Sequence, residues 1–79
     1  MIPYNLSSID AAQRLIRVCE KYSNSFTVDV IYGRQVIDGC SLMGVMSLVG
    51  HIVSIDVSDR DCTDYEYFKR EIKEIGLWL

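Results

Sequence analysis

Cys40-Ser41-Leu42-Met43-Gly44-Val45-Met46-Ser47-Leu48 is the stretch on which the fold turns. A serine stands where a side-chain oxygen can accept from the free backbone N–H groups of a helix start. Behind it come two leucines, two methionines and a valine, broken by Gly44. The pattern predicts a short helix with more apolar side chains than one buried face can use. Across these nine residues, Val45, Leu48 and part of Leu42 suffice to pack on a sheet, which leaves Met43 and Met46 at least partly exposed.

The flanks supply that sheet. Phe26 to Ile31 alternates, with Phe26, Val28 and Val30 on one face and Thr27 and Asp29 on the other. Tyr32-Gly33-Arg34 reads as a turn and Gln35 to Asp38 as the returning strand of a hairpin. Downstream, His51 to Val57 alternates again, with Val53, Ile55 and Val57 on the apolar face. At the N-terminus MIPYNLS is too short for a helix and reads as a first strand, whose Pro3 suits a sheet edge.

Ser8 then caps a helix with Asp10 in its first turn. Ile9, Ala12, Ile16 and Cys19 form its stripe, widened by Leu15 and Tyr22, and its end is expected near Ser23-Asn24. Thr63 and Glu66 have capping-box spacing ahead of a last helix, in which Tyr65, Phe68, Ile72 and Ile75 face inward and Gly76 ends the regular part. The order β-α-β-β-α-β-α predicts an α+β fold: three helices covering one face of an antiparallel sheet, with the other face partly open to water.

The 79 residues are expected to form a single domain, 1–79. Such a chain buries roughly 60–65% of the surface exposed when unfolded, and 49% apolar residues can supply one core. The net charge is −3 and the cations are scattered, which argues against nucleic acid. No segment approaches the roughly 20 apolar residues of a membrane span, so membrane insertion is not expected. The start lacks a basic segment followed by an apolar one, so no secretory signal is expected. Cys19, Cys40 and Cys62 form no C-x-x-C unit and read as reduced thiols of a cytosolic protein. With no P-loop, metal-ligand cluster or nucleophile–base pair, no enzyme, cofactor or metal site is expected. Tyr65, Tyr67, Phe68 and Trp78 read as packing rather than a base-stacking platform, because no basic residues interleave with them.

The element order and the run Ser41-Leu42-Met43-Gly44-Val45-Met46-Ser47-Leu48 together resemble the HPr family, the phosphocarriers of the sugar phosphotransferase system. The resemblance extends over most of the chain, more weakly at Ala12 to Tyr22. It implies an HPr-like open-faced β-sandwich, a four-stranded antiparallel sheet with three helices on one side. It also implies partners of the phosphotransferase type: Enzyme I, permease domains and HPr kinase. Family members carry phosphate on a histidine opening the first helix, within a Gly-x-His-Ala-Arg-Pro-Ala segment, and many are regulated by phosphorylation of the serine opening the second. This chain has Ser8 at the histidine position and Asp10 at the arginine position. A phosphoserine ester is far more inert than a phosphohistidine, and an aspartate repels a dianion that an arginine would bind. Histidine phosphotransfer is therefore not expected, and the resemblance does not bring His51, the only histidine, to the start of the first helix.

Two readings stand side by side for the second helix. Ser41 is an N-cap in either case, and the resemblance adds a regulatory phosphosite. Leu42, Met43 and Met46 either fill gaps in the core or form the partner-docking surface that the family places on this helix. The expected role is a regulatory or docking module. The alternatives are a carrier with a non-standard acceptor, or a non-phosphorylated scaffold or oligomerisation domain.

Overall fold

The computed structural model describes residues 1–76, and these form seven elements in the order β-α-β-β-α-β-α. The strands are β1 (Ile2–Leu6), β2 (Val28–Tyr32), β3 (Gln35–Asp38) and β4 (His51–Val57); the helices are α1 (Ile9–Lys21), α2 (Leu42–Met46) and α3 (Asp64–Gly76). Trp78 lies outside the described residues. All strand pairs are antiparallel, in the order β1-β4-β2-β3. The hairpin closes at Tyr32 and Gln35, and Gly33 takes the positive φ (60°) that this turn requires. Pro3 lies on edge strand β1, where its missing N–H costs the sheet no central hydrogen bond.

Period-two alternation sorts the sheet into two faces. Ile2, Tyr4 and Leu6, Val28 and Val30, and Val53, Ile55 and Val57 are buried toward the helices. Ala11, Ala12, Leu15, Ile16, Val18 and Cys19 of α1 meet them, with Val45 of α2 and Phe68 and Ile72 of α3. Tyr4 Oη reaches through this core to donate to the Ala11 carbonyl (2.7 Å), and burial pushes its hydroxyl up to about 12. At one end Phe68 stands edge-on to Tyr22 and Phe26, with ring centroids at 5.6 and 5.3 Å.

Three sequence expectations need correction. Ile9 is not part of the buried stripe; it is 55% exposed. The stripe is broader on the side of Ala11 and Val18, so a residue in the first turn on the far side falls beyond its edge. Helix α1 stops at Lys21, before Ser23-Asn24, because Ser23 Oγ and the Ser23 N–H both turn back to the Glu20 carbonyl. Helix α2 has five residues rather than nine. Beyond Met46 the chain tightens into bonds three residues apart, Leu48 N–H to Val45 O and Val49 N–H to Met46 O, and ends its helical path there.

Lys21 and Tyr22 clasp Glu71 across α1 and α3: the Lys21 ammonium lies 2.9 Å away and the Tyr22 hydroxyl donates to the other carboxylate oxygen. Burial raises the Glu71 carboxyl, but the bonds from Tyr22 and Lys21 outweigh it and hold it below the ordinary glutamate value. A carboxyl lowered by folding stabilises the native state above its unfolded pKa, and that contribution is lost as pH falls through the folded value. Glu71→Gln is expected to lower stability at pH 7 and to flatten the loss of stability below pH ~4.5, the ordinary carboxyl range. Urea midpoints measured from pH 7 to pH 3 check this; parallel curves for the two proteins would refute it.

Candidate functional site

Helix α2 sits on the helix side of the sheet, held between α1 and β3. Its approach is set by Gly39, which is buried and donates its N–H to the Val28 carbonyl (2.8 Å). A Cβ at this position would stand 2.9 Å from Cys19 Sγ and 3.1 Å from Val28 Cγ1. Asp38 Oδ1 then accepts from the Cys40 N–H (2.9 Å), turning the chain into the helix. Gly44 is the second close contact: a Cβ there would lie 2.5 Å from Ile37 Cγ2 on β3. A helix with larger residues at these two places could not sit so low on the sheet.

This seating decides which side chains remain outside. Val45 and Leu48 are buried, and Met46 is half-buried against the core edge. Leu42 is 54% and Met43 86% exposed. The structure therefore brings Leu42 and Met43 together on the surface and holds Met46 partly below it. Ser41 is exposed and its Oγ accepts from the Gly44 N–H (3.3 Å). No Lys or Arg occurs between Arg34 and Arg60, and Asp38 lies three residues before Ser41. The α2 surface is thus uncharged and apolar, with a carboxylate at one side.

Ser8 caps α1: its Oγ accepts from the Ala11 N–H (3.1 Å). Asp10 follows in the first turn and pairs with Arg14 (2.9 Å), so the position that the resemblance assigns to a phosphate-binding arginine presents a carboxylate. An open groove of about 380 Å³ runs beside it, lined by Asp10, Gln13, Arg14, Arg17, Val18 and Ile75.

His51 is nearer this end than the sequence suggests, for it pairs with Leu6, two residues before Ser8. Its ring, however, tilts over Tyr32 with centroids 4.4 Å apart. Because β1 and β2 flank β4 on opposite sides, a ring leaning toward Tyr32 leans away from Ser8. Sequence reasoning missed this pair, although parity could have found it: Tyr32 shares a face with Val30, and His51 with Val53.

Neither Cys19 nor Cys40 is activated as a thiolate. Burial comes first among the causes that push Cys19 up to about 12 and raise Cys40 as well, and Asp38 and Glu20 add to both.

Comparison with protein-family models finds no match, and comparison with curated proteins finds none either. Among solved structures the chain is similar to the crystal structure of HPr-C-His from Thermoanaerobacter tengcongensis. The two share 17% identity and superpose with a TM-score of 0.67, over 95% of this chain and 92% of that one. This likeness shows the fold: an HPr-like open-faced α+β sandwich, four antiparallel strands with three helices.

Proposed function

We propose that this protein is an HPr-like docking and regulatory module, not a histidine phosphocarrier and not an enzyme, acting in the cytoplasm through the Ser41–Leu48 segment. The observation that carries the reading is the exposure of Leu42 and Met43 on a helix whose seat is otherwise tightly built. Apolar side chains already presented at a surface give up ordered water when a partner covers them, and methionine adapts to different partner shapes. Partners of the phosphotransferase type, Enzyme I, permease domains or HPr kinase, fit the fold. Ser41 is the candidate phosphosite, next to an uncharged apolar patch. A phosphate there would place about two negative charges beside Leu42 and Met43 and close to Asp38, so phosphorylation would weaken docking rather than create it.

Phosphotransfer from α1 is not part of this function. Ser8 is engaged as a cap, and Asp10 adds negative charge beside it. Incubation with phosphoenolpyruvate and Enzyme I is expected to leave the protein without acid-labile phosphate; a labelled protein would establish a carrier and overturn the reading. Met43→Asp is expected to weaken binding to the cognate phosphotransferase protein by at least about tenfold, or ~1.4 kcal/mol, as for an exposed anchor in a small interface. Titration calorimetry with each partner measures this. Mass spectrometry after treatment with the serine kinase and ATP is expected to place one phosphate on Ser41, and its absence would leave an unmodified docking scaffold.

A further inference from the structure

The uncovered face of the sheet, opposite α2, carries an unusual pair of rows. Asp29 of β2 is directly opposite Asp56 of β4 and Asp38 of β3, so three aspartates cross three neighbouring strands in one line. The next line along the strands is Pro3, Ser54, Ile31 and Val36, with Ile52 beside it; Val36 is 63% and Ile52 69% exposed. Like charges placed directly opposite in a sheet destabilise it, and exposed aliphatic side chains gain nothing from water. Among the described residues, only Asp56 of the three pairs with a cation, Arg60 at 3.0 Å. Asp38 accepts from the Cys40 N–H, which leaves charge unneutralised, and Asp59 and Asp61 in the following loop add more.

We propose that this face docks a cationic amphipathic helix of another protein, its Lys or Arg stripe over the aspartate line and its aliphatic stripe over Ile31, Val36 and Ile52. The three aspartates span about 10 Å across the strands, and the apolar line lies about 7 Å further along, so the two rows run side by side across the sheet. Charge selects the occupant. A second copy meeting this face with its own would bring the same aspartates against these; the cations that α3 gathers, Lys69, Arg70 and Lys73, stand beside Glu66, which already pairs with Lys69 (3.6 Å). An anionic lipid surface is repelled for the same reason. This surface does not depend on α2, so it stands or falls separately from the reading above.

An 18-residue helical peptide of Lys and Leu, patterned to give one cationic and one aliphatic stripe, serves as the probe against the ¹⁵N-labelled full chain. Saturable amide shifts are expected at Asp29, Ile31, Val36 and Ile52, weakening as salt is raised. The same peptide with Glu for Lys, or with Ser for Leu, is expected not to bind. Asp29→Asn with Asp38→Asn is expected to weaken the probe at least about tenfold, the scale of lost charge pairs at an interface, while Asp29→Asn alone raises the melting temperature by removing like-charge opposition. Shifts confined to α1, α2 or α3, or undiminished binding by the double variant, would overturn the proposal. So would a lower melting temperature for Asp29→Asn, which would make its carboxylate a support of the fold. Self-association abolished by Val36→Ser with Ile52→Ser would assign the face to a second copy instead.

Discussion

Phe68→Ala is expected to be the most damaging single substitution in the chain, costing about 3–5 kcal/mol. Phe68 is fully buried and its ring is the one that both Tyr22 and Phe26 approach edge-on. Truncation removes the transfer free energy of the ring and leaves a cavity. It also removes two edge-to-face pairs, each worth about 0.5–1.5 kcal/mol beyond area. A domain of this length has a total stability of about 4–12 kcal/mol, so the loss is a quarter of it or more. The melting temperature should fall by more than about 12 °C. Phe68→Leu, which keeps most of the volume, should lose less than half as much. Thermal and urea unfolding of the pair check this; a deficit under about 1 kcal/mol for the alanine variant would mean that α3 contributes little to the core.

Gly39→Ala is expected to cost about 1–3 kcal/mol through crowding alone. The added methyl would meet Cys19 Sγ at 2.9 Å and two atoms of Val28 at 3.1 and 3.2 Å, all on buried residues that α1 and the central strand hold in place. Gly39 does not have a positive φ, so backbone strain is absent, and restricting the unfolded chain offsets at most about 0.4–1 kcal/mol. Crowding therefore wins. Because the chain turns from Gly39 directly into Ser41, the displacement is passed to α2, and binding that depends on Met43 should weaken beyond what stability predicts. A cycle with Cys19→Ala isolates the cause: removing Sγ makes room for the methyl, so the double variant should recover part of the loss. Strict additivity would show that the crowding lies elsewhere.

Most of the architecture was legible in the sequence because its strands are half-buried and alternate cleanly. His51–Val57 and Gln35–Asp38 were read with their observed bounds, and Val53, Ile55 and Val57 do face the core. The errors lie where local pattern is weak. Ile9 has helical spacing to Ala12 and Ile16, but the width of the apolar arc is decided by what packs on it. The sequence overstates the length of α2, because apolar content continues to Leu48 while the hydrogen bonds tighten after Met46. Of the candidate site, both cap serines were found from propensity. The seat at Gly39 and Gly44 was not, because clearance is a tertiary property that composition does not carry. Parity puts Tyr32 and His51 on one face, but their contact also needs β2 and β4 to be neighbours, which joins residues that are remote in the chain.

A helix of five residues is too short to exist on its own, since nucleation consumes most of the order that its few bonds return. Helix α2 persists because β3 and α1 hold it, so its order is only as secure as those contacts. Its backbone amides should therefore exchange with deuterium through a small local excursion, well before those of β4 or α1. A partner that grips Leu42 and Met43 must suppress that excursion, so bound and free protein would differ most in the protection of Val45 and its neighbours. Slowed exchange confined to this turn would report engagement even where no shape change accompanies it.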